Sequence, residues 1–257
     1  MIKILFILEG NNREPFLYNA IQRLYFPKDN ETILCSFGNN IYQLYKELHE
    51  YGEYGNIASL LMEKFSGKED NPFKNIERSS DFSEIYLFFD YDFHNKNLSL
   101  EELNQQVREM LDMFNDETEN GKLYINYPMI ESIRYTKKLP DPEYYKYCAV
   151  RDKCNHFKSI AAEFSYYGSL DFIQINCNKE PSEKKMEQLR QNWEYLKEQN
   201  VYKANYICSG KNCTPGLKED ISQSHIFNHQ MTKYVSATPC KVSILNSIPL
   251  FLYDYFK

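Results

Sequence analysis

Residues 85–92 read Ile-Tyr-Leu-Phe-Phe-Asp-Tyr-Asp, an apolar, β-prone run that stops at two carboxylates, Asp90 and Asp92. Residues 2–10 have the same design: Ile-Lys-Ile-Leu-Phe-Ile-Leu followed by Glu9 and Gly10. Short, nearly continuous apolar runs of this kind are the pattern of strands buried on both faces. If the two strands lie side by side in a parallel sheet, Glu9, Asp90 and Asp92 meet at its carboxyl edge, where open α/β sheets bind ligands. On a regular strand the i, i+2 spacing also points Asp90 and Asp92 to one side. Carboxylates gathered there repel one another unless a cation sits among them. The pattern therefore predicts a site for Mg2+ or Mn2+. The competing reading of Asp90 and Asp92 is a solvated strand end with Asp as a turn residue, and of Glu9 an acidic residue near a helix start.

Working outward, the first 130 residues alternate between strand and helix. Further strands are expected at 32–37 and 122–126, and helices at 14–26, 40–50, 57–65 and 98 to about 115. The stretch 66–82 is polar and turn-rich, and 116–121 is a turn. Such alternation implies an α/β fold with a mostly parallel sheet, flanking helices and right-handed crossovers. From about 140 the pattern changes to helices at 153–166 and 181–199, another within 215–233, and an apolar tail that is helical after Pro249. The chain thus divides into a strand–helix domain, 1–139, and a mainly helical subdomain, 140–257, packed on it. No Gly-, Ser- or Pro-rich linker separates them.

Composition narrows the class. Of 257 residues, 42% are hydrophobic and 26% charged, as in globular proteins. No apolar run approaches the roughly 18 residues that span a bilayer, and the N-terminal strand lacks the basic lead and cleavage site of a signal peptide. A cytoplasmic protein with no membrane association is expected, with reduced thiols at Cys35, Cys148, Cys154, Cys177, Cys208, Cys213 and Cys240. The spacings Cys148-x5-Cys154-x-His156 and Cys208-x4-Cys213 fit structural zinc poorly. The net charge of −6 is unlike a protein that grips long duplex nucleic acid alone. Contact with a nucleic acid would be local and metal-assisted, or a partner would supply the basic surface. No P-loop and no G-x-S-x-G elbow is present.

The order strand–Glu9-Gly10–helix, strand–helix, strand–Asp90-x-Asp92–helix–strand resembles the TOPRIM domain of topoisomerases, DnaG-type primases and OLD-family nucleases. The resemblance covers about residues 1–130. The opening Ile7-Leu-Glu-Gly-Asn-Asn-Arg-Glu-Pro-Phe16 is similar to the small TOPRIM proteins of bacterial phage-defence systems, the RloB-like and PARIS-type effectors, many of which work beside an ABC-type ATPase. The resemblance implies a TOPRIM-like fold. It also implies that Glu9, Asp90 and Asp92 hold divalent metal and drive phosphodiester hydrolysis of DNA or RNA, with a partner ATPase in control and homo-oligomers possible. The chain departs from the pattern at His94, where many relatives carry a third aspartate. His94 is then a metal ligand, a proton carrier or a phosphate contact, or else a surface loop residue. Glu131, beyond the fourth strand, completes a second metal site or is a helix first-turn glutamate. Arg134 and Arg151 are candidate phosphate contacts. Glu14 reads as a helix cap.

Two other functions compete with the nuclease. A sugar-nucleotide transferase would use Asp90 and Asp92 to hold Mn2+ and a diphosphate, but leaves Glu9-Gly10 idle. A non-catalytic interaction protein would use the same carboxylates as caps and solvated termini.

Overall fold

A computed structural model describes residues 2–11, 13–26, 30–52, 56–175 and 180–256. Asn12 and Cys177, both named above, lie outside the described residues. The chain forms two compact units. One comprises Met1–Phe89 and Ser99–Tyr124, the other Asp90–Leu98 and Ile125–Lys257.

The first unit is built on strands β1 (Lys3–Leu8), β2 (Glu31–Ser36), β3 (Glu84–Asp90), β4 (Asn115–Asp116) and β5 (Gly121–Asn126), ordered β2-β1-β3-β5-β4. β1 pairs in parallel with both β2 and β3, matching Leu8 to Ser36 on one side and to Phe88 on the other. Its central place explains its composition: Ile4, Leu5, Phe6, Ile7 and Leu8 are all buried. Helices α1 (Arg13–Tyr25), α2 (Ile41–Tyr51), α3 (Ile57–Phe65) and α4 (Leu100–Met113) alternate with the strands. Polar caps mark the starts of three of them. Asn40 and Asn56 accept from Gln43 N and Ser59 N, and Ser99 and Glu102 form a reciprocal capping box. The sheet is mostly parallel, as expected, with one addition. Asp116 Oδ1 accepts from both the amide and the hydroxyl of Thr118, so the chain reverses and β4 pairs antiparallel with β5.

The second unit is mainly helical: α5 (Phe157–Phe164), α6 (Glu183–Ser209), α7 (Gln223–Gln230) and α8 (Ser247–Tyr255). α6 is the longest, running 27 residues from its Ser182 cap to Gly210 in the left-handed region. Trp193 on α6 is fully buried and donates Nε1–H to Ile173 O at 3.0 Å. Nearly three turns further on, Lys203 is also fully buried, its ammonium donating to Tyr144 O and Tyr147 O. Burial pushes its pKa down to about 7. α8 begins at Ser247, two residues ahead of Pro249, which sits in the first turn where its missing N–H is harmless. A two-stranded antiparallel sheet joins β6 (Cys148–Val150) to β7 (Lys241–Ser243). Strands of three residues carry too little alternation to register as a pattern, so this sheet emerges only in the fold. Among the described residues, no helix is long and apolar enough to cross a membrane.

Gly121 opens β5 at φ +112°, and a Cβ there would stand 2.8 Å from Leu87 Cδ1 and 3.2 Å from Ile85 Cβ. Gly121→Ala combines backbone strain with overpacking against β3. We expect it to lower unfolding free energy by about 2–4 kcal/mol. Urea denaturation measures this, and a loss below about 0.5 kcal/mol would contradict the packing described.

Candidate functional site

In the first unit, Glu9 directly follows β1. Its amide donates to Phe88 O on β3 at 3.1 Å, and its carbonyl accepts from Gly38 N, just past β2, at 2.9 Å. The carboxyl ends of the three strands are therefore tied together by backbone bonds. Gly10 lies close to the end of the Glu14 side chain. Its amide donates to Glu14 Oε1 at 3.1 Å, and a Cβ on Gly10 would lie 2.7 Å from that oxygen. Glu14 is thus turned back onto the chain ahead of α1, its bond going to an amide outside the helix.

The second unit holds Asp90, Asp92, His94, Glu131 and Arg134. Asp90 closes β3 and is buried. It accepts a hydrogen bond from Asn126 Nδ2 at 2.9 Å. Asn126, the last residue of β5, accepts through Oδ1 from the amide and hydroxyl of Ser247 at 3.0 and 2.8 Å. A backbone N–H can only donate, so these bonds fix the amide's orientation and turn its NH2 toward Asp90.

Asp92 departs from the sequence picture. The strand stops at Asp90, and Asp92 has φ +44°, the one non-glycine residue with positive φ among the described residues. The i, i+2 rule for a regular strand no longer applies to the pair. Asp is among the residues that tolerate this conformation. Asp92 N donates to Pro128 O at 3.3 Å, and its carbonyl accepts from Asn95 N at 2.8 Å, closing a tight turn. Burial raises the Asp92 carboxyl above its ordinary value; His94 opposes the shift and the Glu131 carboxylate adds to it. His94 Nδ1 lies 3.9 Å from Asp92 Oδ1 and is buried without a hydrogen-bond partner.

Glu131 is buried in the first turn of a short 3-10 helix, Ile130–Arg134. That turn is held from behind. Asn246 Nδ2 donates to Ile130 O and Ser132 Oγ, and Ser132 Oγ donates to Leu245 O. Arg134 is buried as well and donates to Tyr167 O at 3.3 Å. Arg151 is placed differently. Its Nε donates to Phe93 O at 2.7 Å, and it lines a cavity of about 360 Å3 with His94, Lys96, Asp152 and Asn155.

Asn126, Asn246, Lys96 and Asn155 were missed by sequence reasoning. Asn126 had a faint signal, a lone amide ending an apolar strand. Among the described residues, no three His, Cys, Asp or Glu side chains form a group able to hold a metal. The cysteines of the two zinc-like spacings have other contacts: Cys148 and Cys154 donate to Lys146 O and Val150 O, and Cys213 Sγ accepts from Asn205 Nδ2. The donors around Asp92 are hard oxygens, and Mg2+ binds proteins through one or two carboxylates while keeping several waters. Asp92 and Glu131 fit that demand. They do not form a closed cage.

A carboxyl raised by burial opposes folding when ionised. Its contribution is favourable below the unfolded pKa, near 4, and is lost as pH rises through the folded pKa. We expect Asp92→Asn to raise the melting temperature of metal-free protein at neutral pH, with the gain vanishing below about pH 4. Thermal melts across pH check this, and a destabilised variant at neutral pH would contradict it.

Compared with protein-family models, with curated proteins and with solved structures, the chain matches none, so the site rests on its own geometry.

Proposed function

We propose that the chain is a metal-dependent nuclease with a TOPRIM-like domain, hydrolysing phosphodiester bonds in DNA or RNA. The observation that carries this reading is Asp92. Its carboxyl is half-buried in a left-handed turn just past a sheet strand, within the field of Glu131 and near a cavity lined by Arg151, Lys96 and His94. Buried like charges next to a cationic recess suit a cation and a phosphate better than they suit stability.

In this reading Asp92 and Glu131 hold Mg2+ or Mn2+, and Asp90 is oriented by Asn126. The ion would polarise a phosphoryl oxygen and acidify a bound water. Arg151, steadied by Phe93 O, and Lys96 receive the phosphate, while Arg134 serves the Tyr167 loop. His94 Nδ1, close to Asp92, is placed to hold a proton on the reaction path. Glu9's part as ligand or general base rests on the family resemblance alone. With net charge −6, the chain needs a basic partner to hold a long nucleic acid, and the resemblance suggests an ABC-type ATPase of a phage-defence system.

The test is cleavage of single- and double-stranded DNA and of RNA with Mg2+ or Mn2+, by wild type, Asp92→Asn and Glu9→Ala, each checked for native melting. We expect metal-dependent cleavage by wild type and a loss of about 100-fold or more in each variant. Equal activity in wild type and Asp92→Asn would overturn the proposal. An effect confined to Asp92→Asn would remove Glu9 from it.

A further inference from the structure

The first unit contains a second recess, built from other residues. At the carboxyl end of β2 lies a cavity of about 460 Å3, lined among others by Asn11, Ser36, Lys64, Lys68 and Asp70. Its size falls in the range of small-molecule sites, and its position outside strand ends is where α/β sheets take ligands. β2 ends the strand order, with β1 on one side. Phe37 N donates to Leu8 O and Glu31 N to Ile2 O, so the odd residues of β2 face β1 and the backbone of Leu34 and Ser36 faces the other way. Both of those residues line the cavity.

Two lysines give the recess its charge. Lys64 Nζ lies over the Phe37 ring at 3.9 Å and pairs with Glu47 at 2.8 Å. Lys68 Nζ lies over the Phe65 ring at 4.7 Å and is the less committed of the two. Both ammonium groups pull down the thiol of Cys35, buried on the same strand, against a burial effect that pushes it up to about 12. The field of both lysines thus converges on the end of β2. Opposite charge is present too: Asp70 accepts hydrogen bonds, and Asn11 both donates and accepts. Gly38 follows at φ +80°, keeping the turn beside Asn11 free of a side chain.

We infer that this cavity binds a nucleoside monophosphate, its phosphate at Lys68 and Lys64 and its hydroxyl and base-edge groups at Asp70 and Asn11. A bare inorganic anion would leave Asp70 facing like charge, whereas a nucleotide brings donors for it. The inference stands on the first unit alone and draws nothing from the carboxylate site.

The experiment is calorimetric titration of the full chain in EDTA with AMP, GMP, CMP, UMP, adenosine and inorganic phosphate, each separately. At least one nucleotide should bind saturably, adenosine should not, and phosphate should bind more weakly. Lys68→Glu and Lys64→Met, each checked for native melting, should weaken nucleotide binding by about tenfold or more, and Asp92→Asn should leave it unchanged. The inference is overturned if no nucleotide binds, if phosphate binds as tightly as the best nucleotide, or if both lysine variants bind like wild type. Loss of binding in Asp92→Asn would also overturn it, by moving the ligand to the carboxylates. With metal chelated and no cleavage read, failure here is separate from failure of the nuclease reading.

Discussion

The side chain of Asn126 is the point on which the second unit's arrangement turns. Its oxygen takes the first amide of α8 and the Ser247 hydroxyl, and its nitrogen holds Asp90 at the end of β3. One residue along, Asn246 accepts from its own helix at Ile248 N, donates through Nδ2 to the turn carrying Glu131, and donates its backbone N–H to Asn200 Oδ1. Asn200 Oδ1 also accepts from the Tyr144 hydroxyl. These groups are buried, so each orphaned partner would cost on the order of 1–3 kcal/mol. A satisfied network of this kind fixes one arrangement where an apolar core would allow several. Two of the candidate site carboxylates, Asp90 and Glu131, are positioned by it.

Against that order stands Asp92, which the fold holds at an energetic disadvantage. It is mostly buried, sits in a conformation L residues avoid, and faces Glu131 without a strong ion pair. His94 Nδ1 is 3.9 Å from Asp92 Oδ1 and is buried without a hydrogen-bond partner. Strained and electrostatically frustrated residues persist where the surroundings over-determine them, and they concentrate at working sites. Lys203 makes the contrast clear. It is more deeply buried than Asp92, but two carbonyls receive its ammonium, and it reads as a structural pin.

Much of the sheet was visible in the sequence because β1 and β3 are buried on both faces and so cannot avoid writing unbroken apolar runs. The helices were visible through the helical spacing of their apolar residues, while the caps at Asn40, Asn56 and Ser99 emerged only in the structure. What stayed hidden depends on distance along the chain. Asn126, Asn200 and Asn246 are single polar letters far apart, and only folding makes them a network. β6 and β7 pair across about ninety residues with three residues each. The geometry of Asp92 was hidden for another reason: the strand rule was applied one turn too far, and nothing in Asp-Tyr-Asp announces where pairing stops.

The central claim is that the frustrated carboxylates around Asp92 exist to hold a divalent cation. Titration of the metal-free protein with Mn2+, followed by electron paramagnetic resonance, tests it most directly. Wild type should take up Mn2+ saturably, and Asp92→Asn and Glu131→Gln should each weaken the binding by about tenfold or more while keeping a native melt. Wild type that leaves Mn2+ free in solution, or variants that bind it as tightly as wild type, would contradict the account.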